Sequence, residues 1–173
     1  MILSDRYIRA RQRTAEMLTP FAESLVQPAS YELTLGDEFV RNRHPTGTVR
    51  TTIGHEGDSL WMEPGDFFLA TTIETVTLPG DLTAQVRGKS SWMRNGLQVC
   101  SDAGYVDPGF RGQITLELKN LGDRPLELRY GVRIAQLVFV QMTSSAEFPY
   151  GHEKVGSHYQ GQQGTTASWM KNS

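Results

Sequence analysis

Turn pairs built on glycine or proline punctuate this chain too often for long helices to form. Pro64-Gly65, Pro79-Gly80, Pro108-Gly109, Leu121-Gly122 and Tyr130-Gly131 each mark a break, because proline lacks an N–H and glycine accepts turn dihedrals that other residues resist. The stretches between them carry strand patterns. Tyr31, Leu33 and Leu35 alternate with Glu32 and Thr34, and Gly36-Asp37 is predicted to turn the chain. Phe67 to Leu78 is rich in Thr, Ile and Val, and residues 97–100, 114–118, 126–128 and 134–140 read as further strands. Many short strands with Gly and Pro turns predict an all-β fold, a distorted β-barrel or jelly roll.

Two segments escape the period of two. The opening stretch predicts a helix capped by Ser4, with Ile8, Met17 and Leu18 as a sparse apolar face and Pro20 as its end. Gly88 to Asn95 predicts a short helix inserted between strands, with Ser90 or Ser91 near its amino end. No repeat, low-complexity tract or linker divides the 173 residues, so they read as one domain. Residues 148–173 stand apart within it. Gly151, Gly156, Gly161 and Gly164 with little apolar content describe either a frayed tail or a flexible lid that orders over a ligand.

Charge and cysteine content narrow the function. Seventeen basic and 19 acidic residues give a net charge of −2, which argues against a general nucleic-acid or membrane binder. An anionic ligand must therefore be met by a local cluster. The single cysteine, Cys100, excludes a disulfide framework and a Cys-based zinc site. The four histidines have no metal-ligand spacing, and no His-x-Glu with Pro-Cys-x-x-Cys occurs, so a zinc deaminase is excluded on ligand count. No Gly-x-Ser-x-Gly elbow is present. No apolar run approaches the ~18 residues of a membrane span, and Met1 to Arg6 lacks a signal-peptide core. A cytoplasmic location is expected.

Three places can carry chemistry. Gly88-Lys89-Ser90 resembles the end of a phosphate loop, but Thr83 stands where that loop needs glycine. What survives is an anion site of a lysine and two hydroxyls at a helix start, or a simple helix cap. Glu117 lies opposite Ile114, Leu116 and Leu118 in its strand; it is either a solvated surface residue or, if it faces a pocket, a proton shuttle. Asp107 before Pro108-Gly109 has the ordinary role of starting a turn.

Taken in order, these segments resemble the dCTP deaminase family, relatives of the trimeric dUTPases. The resemblance runs from Ile2-Leu3-Ser4-Asp5 through Leu25-Val26-Gln27-Pro28-Ala29-Ser30 and is strongest at Gly88-Lys89-Ser90-Ser91-Trp92-Met93-Arg94-Asn95-Gly96-Leu97. It continues through Ala103-Gly104-Tyr105-Val106-Asp107-Pro108-Gly109-Phe110, Thr115-Leu116-Glu117-Leu118, Pro149-Tyr150-Gly151 and Gly156-Ser157-His158-Tyr159-Gln160-Gly161-Gln162. Only residues 41–60 carry nothing diagnostic.

The resemblance implies a dUTPase-like distorted barrel, a homotrimer, and active sites shared between subunits. By the same resemblance Glu117 is the general acid/base that activates water for attack on C4 of cytosine without a metal, and Ser90 and Arg94 position that water and polarise the site. Lys89, Ser90 and Ser91 match triphosphate contacts, and Gln136 a further substrate contact. Ala103 falls where backbone groups read the pyrimidine, Tyr105 where a ring packs under the deoxyribose, and Asp107 where the 3′-hydroxyl is accepted. Tyr150, His158 and Gln162 fall where the tail closes over the phosphates. Magnesium is implied on the triphosphate, zinc is not, and dTTP is a candidate inhibitor. Chemically, a carboxylate raised by burial can take a proton from water and return it, while a nearby arginine stabilises charge without becoming a base.

Two residues depart from the family pattern. Asp102 replaces the usual Thr, and an acid there would raise the pKa of Glu117 or alter substrate choice. His158 replaces Lys or Arg, which makes the phosphate clamp weaker or pH-dependent. Three functions follow from these residues: deamination of dCTP to dUTP and ammonia as the main reading, a bifunctional version that releases dUMP and pyrophosphate, and a catalytically silent nucleotide-binding regulator motivated only by Asp102. Ala103-Gly104-Tyr105-Val106-Asp107 resembles the dUMP-forming subgroup. A plain dUTPase is disfavoured because Tyr159 to Gly164 lacks the aromatic which that family stacks on uracil.

Overall fold

Alternation decides which side of the sheet is buried, and the longest strands show it most clearly. The computed structural model describes residues 1–43, 47–53, 58–100 and 103–170. In chain order these form α1 (Asp5–Ala15), β1 (Leu18–Thr19), a 3-10 turn (Glu23–Leu25), β2 (Val26–Gln27), β3 (Ser30–Arg43), β4 (Gly47–Thr52), β5 (Ser59–Met62), β6 (Phe67–Thr77) and β7 (Leu82–Gly88). There follow α2 (Ser90–Met93), β8 (Leu97–Val99), β9 (Tyr105–Val106), β10 (Arg111–Asn120), β11 (Leu126–Arg129) and β12 (Arg133–Gln141). The fold is all-β, as expected, with one short N-terminal helix and one inserted turn of helix.

Ten strands share one curled sheet in the order β8-β10-β6-β3-β12-β7-β9, with β1 on β6 and both β2 and β4 on β3; β11 and β5 pair separately. Every pairing is antiparallel, and the sheet wraps as a distorted, open barrel around a single core. On β10 every second residue from Gly112 to Asn120 is buried, so Ile114, Leu116 and Leu118 face inward. Tyr31, Leu33, Leu35, Phe39, Leu82, Leu137 and Phe139 complete the middle of the core with essentially no exposure. Each such side chain contributes about 1.5–3 kcal/mol by leaving water.

Two local readings are corrected. Gly36-Asp37 does not turn the chain. β3 runs straight through it, changing partner from β12 (Tyr31 to Thr34) to β6 with a register shift between Leu35 and Phe39. A Cβ at Gly36 would lie 2.5 Å from Cγ2 of Thr71, so the glycine serves close strand packing at the bend rather than reversal. The apolar face of α1 is also shorter than predicted. Glu16 adopts the left-handed region at φ 44° and closes the helix through its N–H to the Gln12 carbonyl. Met17 and Leu18 are buried beyond the helix, Leu18 paired with Val76 of β6. Ser4 occupies the cap position without a side-chain cap hydrogen bond; the first turn is tied instead by the Asp5–Arg9 ion pair at 2.6 Å.

Candidate active site

Glu117 stands near the middle of β10, with Leu69 of β6 opposite it on one side and the chain after β8 on the other. Its carbonyl accepts the Cys100 N–H at 2.9 Å. Its side chain leaves the core face, and Oε2 is buried without a hydrogen-bond partner among the described residues. Glu117 is one of the residues lining a cavity of about 540 Å³. A buried carboxylate oxygen left unsatisfied is costly, which sets Glu117 apart from the acids that have structural partners.

Three parts of the chain complete the cavity around Glu117. Phe67 and Leu69 come from β6, and Thr115 lies beside Glu117 on the same face of β10. Residues 103–107 form the second part. The Val86 N–H donates to the Gly104 carbonyl at 2.6 Å. A Cβ at Gly104 would be 2.5 Å from the Val86 carbonyl oxygen, so only glycine lets this segment lie so close to β7. Ala103, Tyr105 and Asp107 follow as cavity residues, all exposed. Asp107 also opens a turn, its carbonyl accepting the Phe110 N–H at 3.2 Å.

The tail supplies the third part. Tyr150 packs its ring 5.9 Å from that of Phe110, and its hydroxyl accepts the Tyr159 N–H. Gly161 donates to the Arg111 carbonyl at 2.7 Å, and Gln113 donates to the Gln162 carbonyl at 3.1 Å. Gln162 returns a side-chain bond to the Gln113 carbonyl at 2.6 Å. Thr165, buried, donates its hydroxyl to the Glu38 carbonyl and its N–H to the Glu38 carboxylate. The tail thus runs beside β10, and Tyr150, Tyr159, Gln162, Thr166 and Ser168 reach the cavity wall.

The remaining sequence candidates lie elsewhere. Ser90, Ser91 and Arg94 are exposed on α2, and none of them, nor Lys89 or Gln136, lines the cavity. Lys89 is ion-paired with Glu32, and Gln136 accepts a bond from the Ser30 hydroxyl at 3.1 Å. Lys89 itself occupies the cap position of α2; with one turn, α2 has little macrodipole, so any anion there must be met by side chains. His158 is exposed and stacks on Trp169, 3.8 Å between ring centres at 13°. Asp102 lies outside the described residues. Among the cavity residues that the sequence reading did not name as candidates are Thr115 and Cys100. Thr115 was findable, since alternation puts it on the Glu117 face. Cys100 was not, because only strand pairing brings it to the cavity. Burial, reinforced by the Glu117 carboxylate, pushes its thiol up, so it stays neutral. Among the described residues no group of three His, Cys, Asp or Glu side chains is placed to hold a metal, and no helix is long and apolar enough to cross a membrane.

Comparison with known proteins gives these residues a family. A family model described as dCTP deaminase-like matches residues 2–142. The chain belongs to that family. It is 44% identical over 181 residues to a Streptomyces griseus protein named dCTP deaminase, dUMP-forming, covering 97% of this chain and 94% of the relative. A Pseudarthrobacter chlorophenolicus protein of the same name is 42% identical with the same coverage. The crystal structure of 2′-deoxycytidine 5′-triphosphate deaminase from Agrobacterium tumefaciens superposes with a TM-score of 0.64 at 26% identity over 80% of this chain. The match spans 47% of that longer chain. The family match ends at residue 142, whereas the two curated relatives align along nearly the whole chain and so take in tail as well as barrel.

Proposed function

We propose that this protein is a dUMP-forming dCTP deaminase, converting dCTP and two waters to dUMP, ammonia and pyrophosphate. The observation that carries the proposal is the Glu117 carboxylate on the wall of a cavity of about 540 Å³, with one buried oxygen that has no hydrogen-bond partner among the described residues; the volume is within the size range of small-molecule sites. The names of the 42–44% identical relatives favour dUMP over dUTP. The dUTP-releasing reading, placed first on the residues alone, gives way to this alternative.

In the proposed first step Glu117 takes a proton from a water that adds to C4 of cytosine. It returns that proton to the amine, ammonia departs, and the water's second proton passes from the C4 hydroxyl to N3 as the C4 carbonyl forms. One carboxylate serves both halves because it alternates between base and acid. The exposed Tyr105 ring packs under the deoxyribose, the Ala103 backbone reads the base, and Asp107 accepts the 3′-hydroxyl. In the second step a water attacks the α-phosphorus and pyrophosphate leaves. Magnesium enters as part of the substrate, carried by the triphosphate, whose negative charge it offsets. Residues 148–173 act as a lid, with Tyr150 and Gln162 already on the cavity wall and His158 carried on the same tail.

The cavity of one chain lacks Lys89, Ser90, Ser91, Arg94 and Gln136. A homotrimer resolves this if α2 of one subunit meets the cavity of the next, so that the partner supplies the polarising serine and arginine together with the triphosphate contacts. Consumption of a free deoxynucleotide suits a cytoplasmic enzyme. Incubation with dCTP and magnesium, followed by chromatography of all nucleotides, tests the proposal. dUMP with pyrophosphate and ammonia supports it. Accumulated dUTP returns the dUTP-releasing reading, and unchanged dCTP that nevertheless binds indicates the silent regulator.

A further inference from the structure

The triphosphate needs positive charge that the chain as a whole, at −2, does not supply. One face does. Glu32 on β3 is buried, yet both of its oxygens are engaged by cations: Oε1 by the Lys89 ammonium and Oε2 by Nη1 of Arg133 at 2.8 Å. Arg133 begins β12, and its carbonyl accepts the Trp92 Nε1–H at 3.0 Å, which ties α2 to that strand. In the sheet, Gln136 of β12 stands between Glu32 of β3 and Arg87 of β7. Lys89, Gln136 and Arg133 therefore share one outward face, to which α2 is tied through Trp92.

Two cations on one carboxylate leave an excess of one positive charge. Their mutual repulsion is felt, because burial first and Arg133 second push the Lys89 pKa down. A pair meant only to neutralise Glu32 would need one partner. The second cation is half exposed, 49% of its side chain meeting solvent, so it can reach outward while Glu32 holds its base.

We infer that Arg133 is a further contact for the substrate triphosphate, and that Glu32 is the positioning residue that holds Lys89 and Arg133 side by side to receive it. The inference rests on the reading above that sets Lys89 against the triphosphate. It names a residue outside the segments that carry the family resemblance. Arginine adds what lysine lacks, a planar fork that can take two phosphate oxygens at once.

Inorganic tripolyphosphate with magnesium is the probe, titrated calorimetrically against the full-length protein, so that the readout does not depend on turnover. Arg133→Gln should weaken its binding about 10- to 100-fold, the range expected for one charge-assisted contact. It should raise the KM for dCTP similarly while kcat stays within about twofold, and Arg133→Lys should recover part of the loss. Glu32→Gln should weaken binding without any change at the cavity; because it leaves Lys89 and Arg133 without their shared carboxylate, thermal unfolding is followed alongside, and Arg133→Gln decides if it fails to fold. Arg124→Gln, at an exposed arginine paired only with Asp123, serves as the control for general charge. Tripolyphosphate binding by Arg133→Gln equal to wild type, or an equal loss in Arg124→Gln, overturns the inference. Wild-type protein that binds tripolyphosphate at Arg133 but leaves dCTP unchanged would instead break the functional reading and leave the anion site standing.

Discussion

The wall around Glu117 and the face around α2 are built on opposite principles. The first is a cavity that, among the described residues, is lined by the carboxylates of Glu117 and Asp107 and by no cation; the second is an outward face that carries cations. Glu117 has an oxygen without a hydrogen-bond partner among the described residues, while Glu32 has both oxygens claimed. Each region supplies what the other lacks. A buried acid able to shuttle protons wants apolar surroundings that keep charge scarce, whereas a triphosphate wants charge in excess. In the proposed assembly, where the two are separated on one chain and rejoined between subunits, both requirements hold.

The contrast breaks most visibly at Glu117. Glu117→Gln has nearly the same shape and sits on the outward face of β10, so folding, assembly and dCTP binding should persist. Deamination should fall by at least about 10²–10⁴-fold, the usual cost of a missing positioned acid/base, and further because one group serves both halves of the step. Ammonia release near the wild-type rate would remove Glu117 from the mechanism, and loss of binding together with activity would make it a binding residue.

Mixed subunits sharpen the same comparison. Glu117→Gln disables the cavity half and Arg94→Ala the α2 half, so each protein alone should be inactive. Unfolded together and refolded at equal amounts, they should recover about a quarter of wild-type activity if each site draws one half from each of two neighbours. No recovery would show that both halves act within one chain. Removing residues 148–173 asks about the cavity side alone. Tyr150, Tyr159, Gln162, Thr166 and Ser168 leave the wall with the tail, so KM for dCTP should rise at least ~10-fold through lost polar contacts, while the barrel, whose strands all end by Gln141, stays folded by circular dichroism. An unchanged KM would mean that the tail is not a lid.

Much of the barrel was legible because burial obeys a period of two: Ile114, Leu116 and Leu118 inside, Glu117 out. The same rule describes Leu82, Ala84 and Val86 of β7, a strand the turn-to-turn reading left out. It failed at Gly36, where the deciding fact is the approach of Thr71 across the sheet, not anything local. It failed at Met17 and Leu18 because a single left-handed residue, Glu16, ended the helix before them, leaving Leu18 to begin β1. Family resemblance named a set of candidate residues, of which Ala103, Tyr105, Asp107, Glu117, Tyr150 and Gln162 share the cavity, but not their geometry. Nothing local says that Glu117 and Tyr150 share a cavity while Arg94 does not, or that Arg133 joins Lys89 on Glu32. Such groupings are products of pairings between strands far apart in sequence.

A third carboxylate offers the smallest and cleanest test of the contrast between satisfied and unsatisfied acids. Glu74 on β6 is buried, accepts the Thr34 N–H at 3.0 Å and its hydroxyl at 2.7 Å, and does not line the cavity. Burial outweighs those two bonds and pushes its pKa up. Between the ordinary carboxylate value and this raised one, the folded chain holds a proton that the unfolded chain has lost. The stabilising share of Glu74 is therefore fully present on the acid side and declines as pH rises through the folded-state pKa. Glu74→Gln cannot titrate and keeps one acceptor for the two Thr34 donors, costing about 1 kcal/mol where wild type is protonated. Its melting temperature should lie below wild type at about pH 5, with the gap closing or reversing by about pH 8. kcat for dCTP should be unaffected, since the carboxylate already has its partners. A gap of equal size at both pH values would show that Glu74 holds the same protonation state throughout. A fall in kcat would show that a satisfied acid behind the wall matters to the chemistry, and the line drawn between it and Glu117 would have to be redrawn.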